Sequence, residues 1–458
     1  MHTGAQVDLV VVGAGLAGCV AALTAAESGA RVRLIEKSNA CGGSSVMSAD
    51  CYAFAGTDIQ LRSGVQDTAD LLYEDLVSVG KGENSPAVVN AYAREQLATY
   101  EWLRSRGAVF SDKVDTGAGQ TVPRVHTTDT TRLIERLLRR CADTGRVSVE
   151  FSTHAVRLRR GAADSINVVV ADYSGARQHI SSQRGVILAT GGFTNDSRLV
   201  HRYAPQYDNA LRVSAPGATG DGLRMACALG AELLDMAYIK GTFGVRANSS
   251  GTKLNCMAVY KGAIAINQAG RRFVDESQSY KILGDACMNQ PGQLAHQILD
   301  QDILETGEPS VRILDLMHHY REGLFVTADT LEELARRIEV PAAVLMETVD
   351  TYNSYVRDDL DKDFGRQHLV HRYGALRPIL RPPFHAYPSA VAIFGTYCGV
   401  AVDEHMQVRD VFGDVISGLY AAGEVVGGFH GAAYMTGTAL GKAAVFGRIA
   451  ARSALATD

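Results

Sequence analysis

Gly13, Gly15 and Gly18 stand in G-x-G-x-x-G spacing, and an acidic residue, Glu36, follows 18 positions after the last of them. That combination grips a dinucleotide. Gly13 permits a tight turn, Gly15 lets a pyrophosphate approach the backbone, and Gly18 allows close helix–strand packing. A helix that opens near Ala17 points unpaired N–H groups at the phosphates. Glu36, with Lys37 beside it, is placed to bind ribose hydroxyls, and its charge repels a 2′-phosphate, which argues against NADP.

The glycine pattern carries weight only between the right elements. Residues 8–12 (DLVVV) form a continuous apolar run, as in a parallel strand buried on both faces. Residues 17–28 have helical composition, and 30–35 (ARVRLI) read as a second strand ending at Glu36. Together they make one βαβ unit of about 30 residues. Further on, 68–106 and 130–142 read as helical, and 165–172 and 178–189 as strands. Short strands are expected at 262–267 and 271–274. Asp329 with Glu332 makes a capping box, and Pro341 opens a helix to about residue 355. Residues 377–384 are proline-rich and read as irregular. From Gly418 onward the chain returns to the Gly/Ala-rich character of its beginning. The expected fold is α/β, a Rossmann-type domain with a parallel sheet (1–240 and 396–458) split by an inserted α+β substrate or capping domain (241–395).

Three further segments point to FAD rather than NAD. Cys41-Gly42-Gly43-Ser44-Ser45 lies just beyond Glu36, Ala189-Thr190-Gly191-Gly192 ends a later strand, and Gly418-Leu419-Tyr420-Ala421-Ala422-Gly423-Glu424 lies near the C-terminus. On these segments the chain resembles, over nearly its whole length, the flavoprotein group that contains soluble fumarate reductases and 3-ketosteroid dehydrogenases. The resemblance implies that the first glycines hold the ADP half and that the segment with Gly423 and Glu424 lies along the ribityl and isoalloxazine region. It implies that the last helix, 437–450 with Thr438, Ala439 and Leu440 in its first turn, aims its N-terminus at the flavin O2. Gly217 to Gly222, with Asp221, is similar to a family segment close to the FAD. Covalently flavinylated members carry a histidine near the Gly-Gly-Ser segment. Residues 41–50 contain none, so FAD is expected to be held non-covalently.

The substrate side departs from the reductases. Their proton-donating arginine follows a GxRFVNE-like segment, and Tyr280 takes its place here after Gly270-Arg271-Arg272-Phe273-Val274-Asp275-Glu276. Their His-His-Thr-Met-Gly-Gly stretch is replaced by 394–399 (FGTYCG), their Asn-Arg-Leu-Gly-Gly-Asn by 433–438 (AYMTGT), and their His-Pro-Thr by 241–243 (GTF). Dicarboxylate reduction is disfavoured on that ground. The replacements are similar to ketosteroid dehydrogenases, which have a tyrosine after an NES-type segment and another shortly before a C-terminal glycine. Met435 departs from the proline of their Tyr-Pro-Thr-Gly sequence. The resemblance implies that Tyr434 and the Gly437 N–H hold a ketone oxygen and that Tyr280 moves the α-proton. Flavin N5 takes the hydride. His430 lies in a loop similar to one that contacts the flavin and is a candidate for chemistry, and Arg124 and His126 are candidates for a cofactor or substrate contact.

The expected activity is desaturation next to the ketone of a cyclic substrate, a 3-ketosteroid or an oxocyclohexane such as 4-oxocyclohexanecarboxylate. Two alternatives stand: an ene-reductase of the same family, and an FAD-binding protein without catalysis. The chain has 458 residues, 46% hydrophobic and 21% charged, with a net charge of −5, which leaves no electrostatic footprint for nucleic acid. No apolar run long enough for a transmembrane anchor occurs, and without a secretory pattern a cytoplasmic location is expected. The eight cysteines form no C-x-x-C pair, so no metal centre, haem or iron–sulfur site is expected. Electrons must then pass through a separate carrier such as a quinone or oxygen.

Overall fold

The computed structural model describes residues 7–161, 166–171, 175–239, 241–247 and 254–456. The apolar run forms strand β1 (Leu9–Val12), buried throughout, and helix α1 (Leu16–Glu27) and strand β2 (Val32–Ile35) follow. β1 pairs in parallel with β2 on one side and with Val186–Leu188 on the other. A strand enclosed in this way has no wet face, which explains the missing polar alternation. The sheet has six strands in the order Gln407–Arg409, Val415–Ala421, Val186–Leu188, β1, β2, Val147–Glu150. All pairs are parallel except the edge strand Gln407–Arg409. The Gly/Ala-rich return near the C-terminus therefore supplies a central strand of the first sheet, and it ends in the long helix Thr438–Ala456.

Between Val186–Leu188 and Gln407–Arg409 the chain builds a second, mainly antiparallel sheet around Phe384–Ile393. Ala295–Leu299, Thr242–Arg246 and Val326–Ala328 pair antiparallel with that strand, and Leu211–Arg212 pairs parallel. Ile264–Ile266 extends the sheet beyond Ala295–Leu299. The architecture is thus an α/β Rossmann-type domain with an inserted antiparallel domain. No helix among the described residues is long and apolar enough to cross a membrane.

Several local expectations differ from the structure. The helical stretch 68–106 breaks into Ala69–Val79 and Pro86–Ser105, the second opened by its proline. Residues 178–189 divide into Arg177–Ser181 and Val186–Leu188. Of 165–172, the strand Ile166–Ala171 is seen, and residues 165 and 172 lie outside the described residues. The strand expected at 271–274 is absent, because the Arg272 side chain turns inward to Glu276 and Asp361 and leaves one bridge to Ile266. Thr330, not Asp329, caps the next helix, its hydroxyl accepting from the Glu333 N–H at 3.2 Å. Phe384, read as the end of an irregular segment, begins the central strand of the second sheet.

Candidate active site

The three glycines behave as their spacing demands. Gly13 has φ +104°, and a Cβ there would stand 2.4 Å from the Ala189 carbonyl oxygen. A Cβ on Gly18 would lie 1.8 Å from the Gly13 oxygen, so that glycine is required by packing. Gly15 is different: its nearest neighbour would be Ser45 Oγ at 3.6 Å. The protein itself leaves room at Gly15, and the demand for a bare backbone there comes from the ligand side.

One cavity, about 1840 Å³ with its open mouth, runs from this turn into the inserted domain. Its lining is continuous from the phosphate-binding turn to side chains of the inserted domain, as a dinucleotide with a substrate beyond it requires. Gly13, Gly15, Ala17, Glu36 and Lys37 line its first part, and Gly43, Ser44 and Ser45 face them. Glu36 accepts the N–H groups of Ala14 and Ser38, both at 2.8 Å, one on each carboxylate oxygen. The further lone pair on each oxygen is left for ribose hydroxyls. Asp221, also lining, accepts from Lys37 Nζ at 2.6 Å and pairs with His154 Nε2 at 3.1 Å. Burial alone would raise its pKa, but His154 and Lys37 hold the carboxyl below its usual range.

Ala189, Thr190, Gly191, Gly423 and Glu424 line the middle of the cavity, with Ala439 and Leu440 from the first turn of the last helix. Glu424 Oε1 accepts the Thr396 N–H at 2.9 Å. Burial pushes its pKa up, against the Thr396 hydrogen bond and the nearby Lys442. Lys442, buried and lining the same wall, donates to the Val426 carbonyl at 2.8 Å. Burial pushes its pKa down to about 8, opposed by Glu424 and Asp235. Sequence reasoning passed over Lys442, although a lysine in the apolar stretch Thr438-Ala439-Leu440-Gly441-Lys442-Ala443 was a visible signal.

Tyr280, Tyr434 and Gly437 line the far part. The two tyrosine rings lie 5.6 Å apart, centroid to centroid, and Tyr397 stands 4.7 Å from Tyr434. The Tyr434 hydroxyl accepts the Ala439 N–H at 3.3 Å, which leaves its own proton free to donate. Burial pushes Tyr434 up to about 12 against hydrogen bonding from Ala439 and Tyr280. Burial, and then Tyr434, Tyr397 and Tyr260, push Tyr280 well above the ordinary tyrosine range, against hydrogen bonding with Thr436. Lys281 Nζ lies 5.9 Å from the Tyr280 ring centre and 4.4 Å from that of Tyr397, and it donates to Thr242 Oγ1 at 2.6 Å. Tyr397, Lys281 and Thr436 were not singled out from the sequence.

The chain fixes this pair of tyrosines from several directions. Ser279, the cap of helix Tyr280–Met288, donates from its hydroxyl to the Tyr434 carbonyl at 2.8 Å and so ties the two loops together. Upstream, Arg272 clasps Glu276 at 2.7 and 2.9 Å, and Glu276 also accepts the Ala265 N–H. Arg272 and Glu276 are therefore a buried brace just ahead of Tyr280. On the other side, Ala118 N–H and Gln120 Nε2 bond Thr436 at 2.9 and 3.0 Å.

Five of the candidates stand off the cavity. Gly18 packs behind the first turn, Gly42 donates its N–H to Ala14 at 2.9 Å, and Thr438 Oγ1 bonds the Met435 carbonyl at 2.6 Å. Arg124 and His126, considered as contacts, are wholly buried instead. Arg124 grips Asp67 at 2.6 and 2.7 Å and Asp75 at 2.7 Å, and His126 pairs with Thr57 and the Arg124 carbonyl. No group of side chains suited to a metal ion occurs among the described residues.

The FAD binding domain family profile matches residues 8–440. The chain is 30% identical to a urocanate reductase of Eggerthella lenta over 98% of its own length and 75% of that protein. It is also 30% identical to a cytochrome-type fumarate reductase of Shewanella frigidimarina, over 98% and 77%. The structure of a 3-ketosteroid Δ1-dehydrogenase from Sterolibacterium denitrificans, 21% identical, superposes with a TM-score of 0.79 over 99% of this chain and all of that one, a likeness of fold. A GxGxxG turn with room at Gly15, a continuous cavity lined by that turn and the profile match lead to one assignment. The chain belongs to the FAD binding domain family, within the fumarate reductase/succinate dehydrogenase flavoprotein superfamily, and is an FAD-dependent oxidoreductase acting on CH–CH groups.

Proposed function

We propose that this enzyme reduces the C=C bond of a small alkene conjugated to a carbonyl group, with Tyr280 as the proton donor. The observation that carries the reading is the burial of Tyr280 among three tyrosines, which keeps its hydroxyl protonated. A base would need that proton removed, whereas an acid needs it in place. The direction also agrees with the names of both relatives, which are reductases. The desaturation expected from the sequence yields to it. Tyrosine at position 280 and the aromatic surroundings favour a neutral carbonyl compound over a dicarboxylate.

FAD, when bound and reduced, supplies the hydride to the β-carbon. The chain does the rest. Tyr434, aligned by the N–H of Ala439 at the start of the last helix, donates to the carbonyl oxygen and stabilises its growing negative charge. Tyr280 delivers the proton to the α-carbon and is reprotonated from water. One C=C bond becomes CH–CH, two electrons are consumed, and a separate donor must restore them. Residues 41–50 hold no histidine, which supports non-covalent binding of FAD. Acid precipitation of the holoenzyme is then expected to leave the flavin in the supernatant, and flavin retained in the pellet would contradict this.

The pH profile tests the acid role. Reduced holoenzyme mixed anaerobically with cyclohex-2-enone is expected to reoxidise at a constant rate from about pH 6 to about pH 9. It should slow only above the ordinary tyrosine value near 10, because an acid with a raised pKa stays protonated longer. A rate that climbs with pH across that window would mark a base and defeat the proposal.

A further inference from the structure

We propose that His430 is a second hydrogen-bond donor to the substrate carbonyl oxygen, beside Tyr434, an inference that rests on the alkene-reductase reading above. His430 is 3% exposed and lines the cavity, yet neither ring nitrogen has a partner among the described residues. Buried polar atoms are nearly always paired, so two unpaired nitrogens on the ring of a cavity-lining residue mark a place for a ligand. The ring stands 5.1 Å from Tyr434 and 5.2 Å from Tyr397, centre to centre, and is backed by Phe429 at 4.8 Å. It therefore belongs to the tyrosine cluster at the substrate end. Burial, with the ammonium groups of Lys442 and Lys281 near it, holds the imidazole well below its usual pKa, so it is neutral. A neutral imidazole carries one N–H donor and one acceptor, which matches a carbonyl oxygen that gains charge as the alkene is reduced.

The flavin ring also bears carbonyl oxygens, and the experiment must separate the two sources. Cyclohex-2-enone, and cyclohexene as the same ring without its oxygen, are titrated into oxidised holoenzyme carrying wild-type, His430→Phe or His430→Gln chains. Binding is read from the flavin absorbance. The expected result for His430→Phe is retained FAD with an unaltered spectrum, roughly tenfold weaker enone binding and unchanged cyclohexene binding. His430→Gln, which keeps an N–H donor, should recover part of the enone affinity. Loss of FAD or a shifted spectrum with enone affinity intact would assign His430 to the flavin and overturn the proposal. Equal weakening of both ligands would make it a packing residue and also overturn it. Failure of the reductase reading shows separately, as wild-type reduced enzyme that the enone does not reoxidise, while enone binding is still measured in the oxidised state.

Discussion

Tyr280→Phe is expected to keep its FAD and lose on the order of 10²–10⁴-fold in alkene reduction, the range for removal of a positioned general acid. Phenylalanine preserves the ring that packs 5.6 Å from Tyr434 and 6.5 Å from Tyr260, so the site should keep its shape. The visible spectrum of the variant reports whether the flavin stays in place, and stopped-flow reoxidation by cyclohex-2-enone reports the loss. The effect should fall on the rate at saturating enone rather than on enone affinity, because Tyr434 still holds the oxygen. A variant within threefold of wild type would show that another group brings the proton.

Arg124→Met is expected to cost about 3–5 kcal/mol of stability, the price of breaking a buried ion network from one side. The guanidinium is fully buried and satisfies both oxygens of Asp67 and one of Asp75. Its removal strands two carboxylates away from water. Asp75 also holds Thr121 by its N–H at 2.9 Å and its hydroxyl at 2.5 Å, next to the loop whose Ala118 and Gln120 clamp Thr436. Alkene reduction should therefore fall with stability. Thermal unfolding of the holoenzyme checks the first effect. Adding Asp67→Asn and Asp75→Asn to Arg124→Met should restore part of the loss, since the stranded charges are then gone. No recovery would mean that the cost comes from lost packing.

What was legible in the sequence was local. Gly13 to Glu36 announces its turn, helix and strand because these elements are consecutive in sequence and their spacing is set within one βαβ unit, and the structure places the glycines and Glu36 on the cavity or directly behind it. Tyr280 and Tyr434 were legible through resemblance, each in its own motif. Their meeting depends on the Ser279 hydroxyl crossing to the Tyr434 carbonyl, which no spacing reveals. Lys281 and Thr436 neighbour Tyr280 and Tyr434 in sequence, yet only the fold shows that they line up with them, and Tyr397 joins them by long-range packing. Arg124 and His126 look alike in sequence whether they face a ligand or a carboxylate pair, and only the fold brings Asp67 and Asp75 against the guanidinium. Arg272 shows the same limit in secondary structure: where the sequence suggests a short strand it makes a single bridge to Ile266, and its side chain bonds two buried carboxylates that no spacing reveals.

The direction of hydride transfer is the central claim, and two anaerobic mixings decide it most directly. Reduced holoenzyme is mixed with cyclohex-2-enone, and oxidised holoenzyme with cyclohexanone at the same concentration and pH. A protonated Tyr280 predicts that the enone restores the oxidised flavin spectrum within seconds and releases cyclohexanone, while cyclohexanone leaves the oxidised flavin unbleached. Bleaching by cyclohexanone, with no reoxidation by the enone, would contradict the reductase and return the tyrosine to the role of a base.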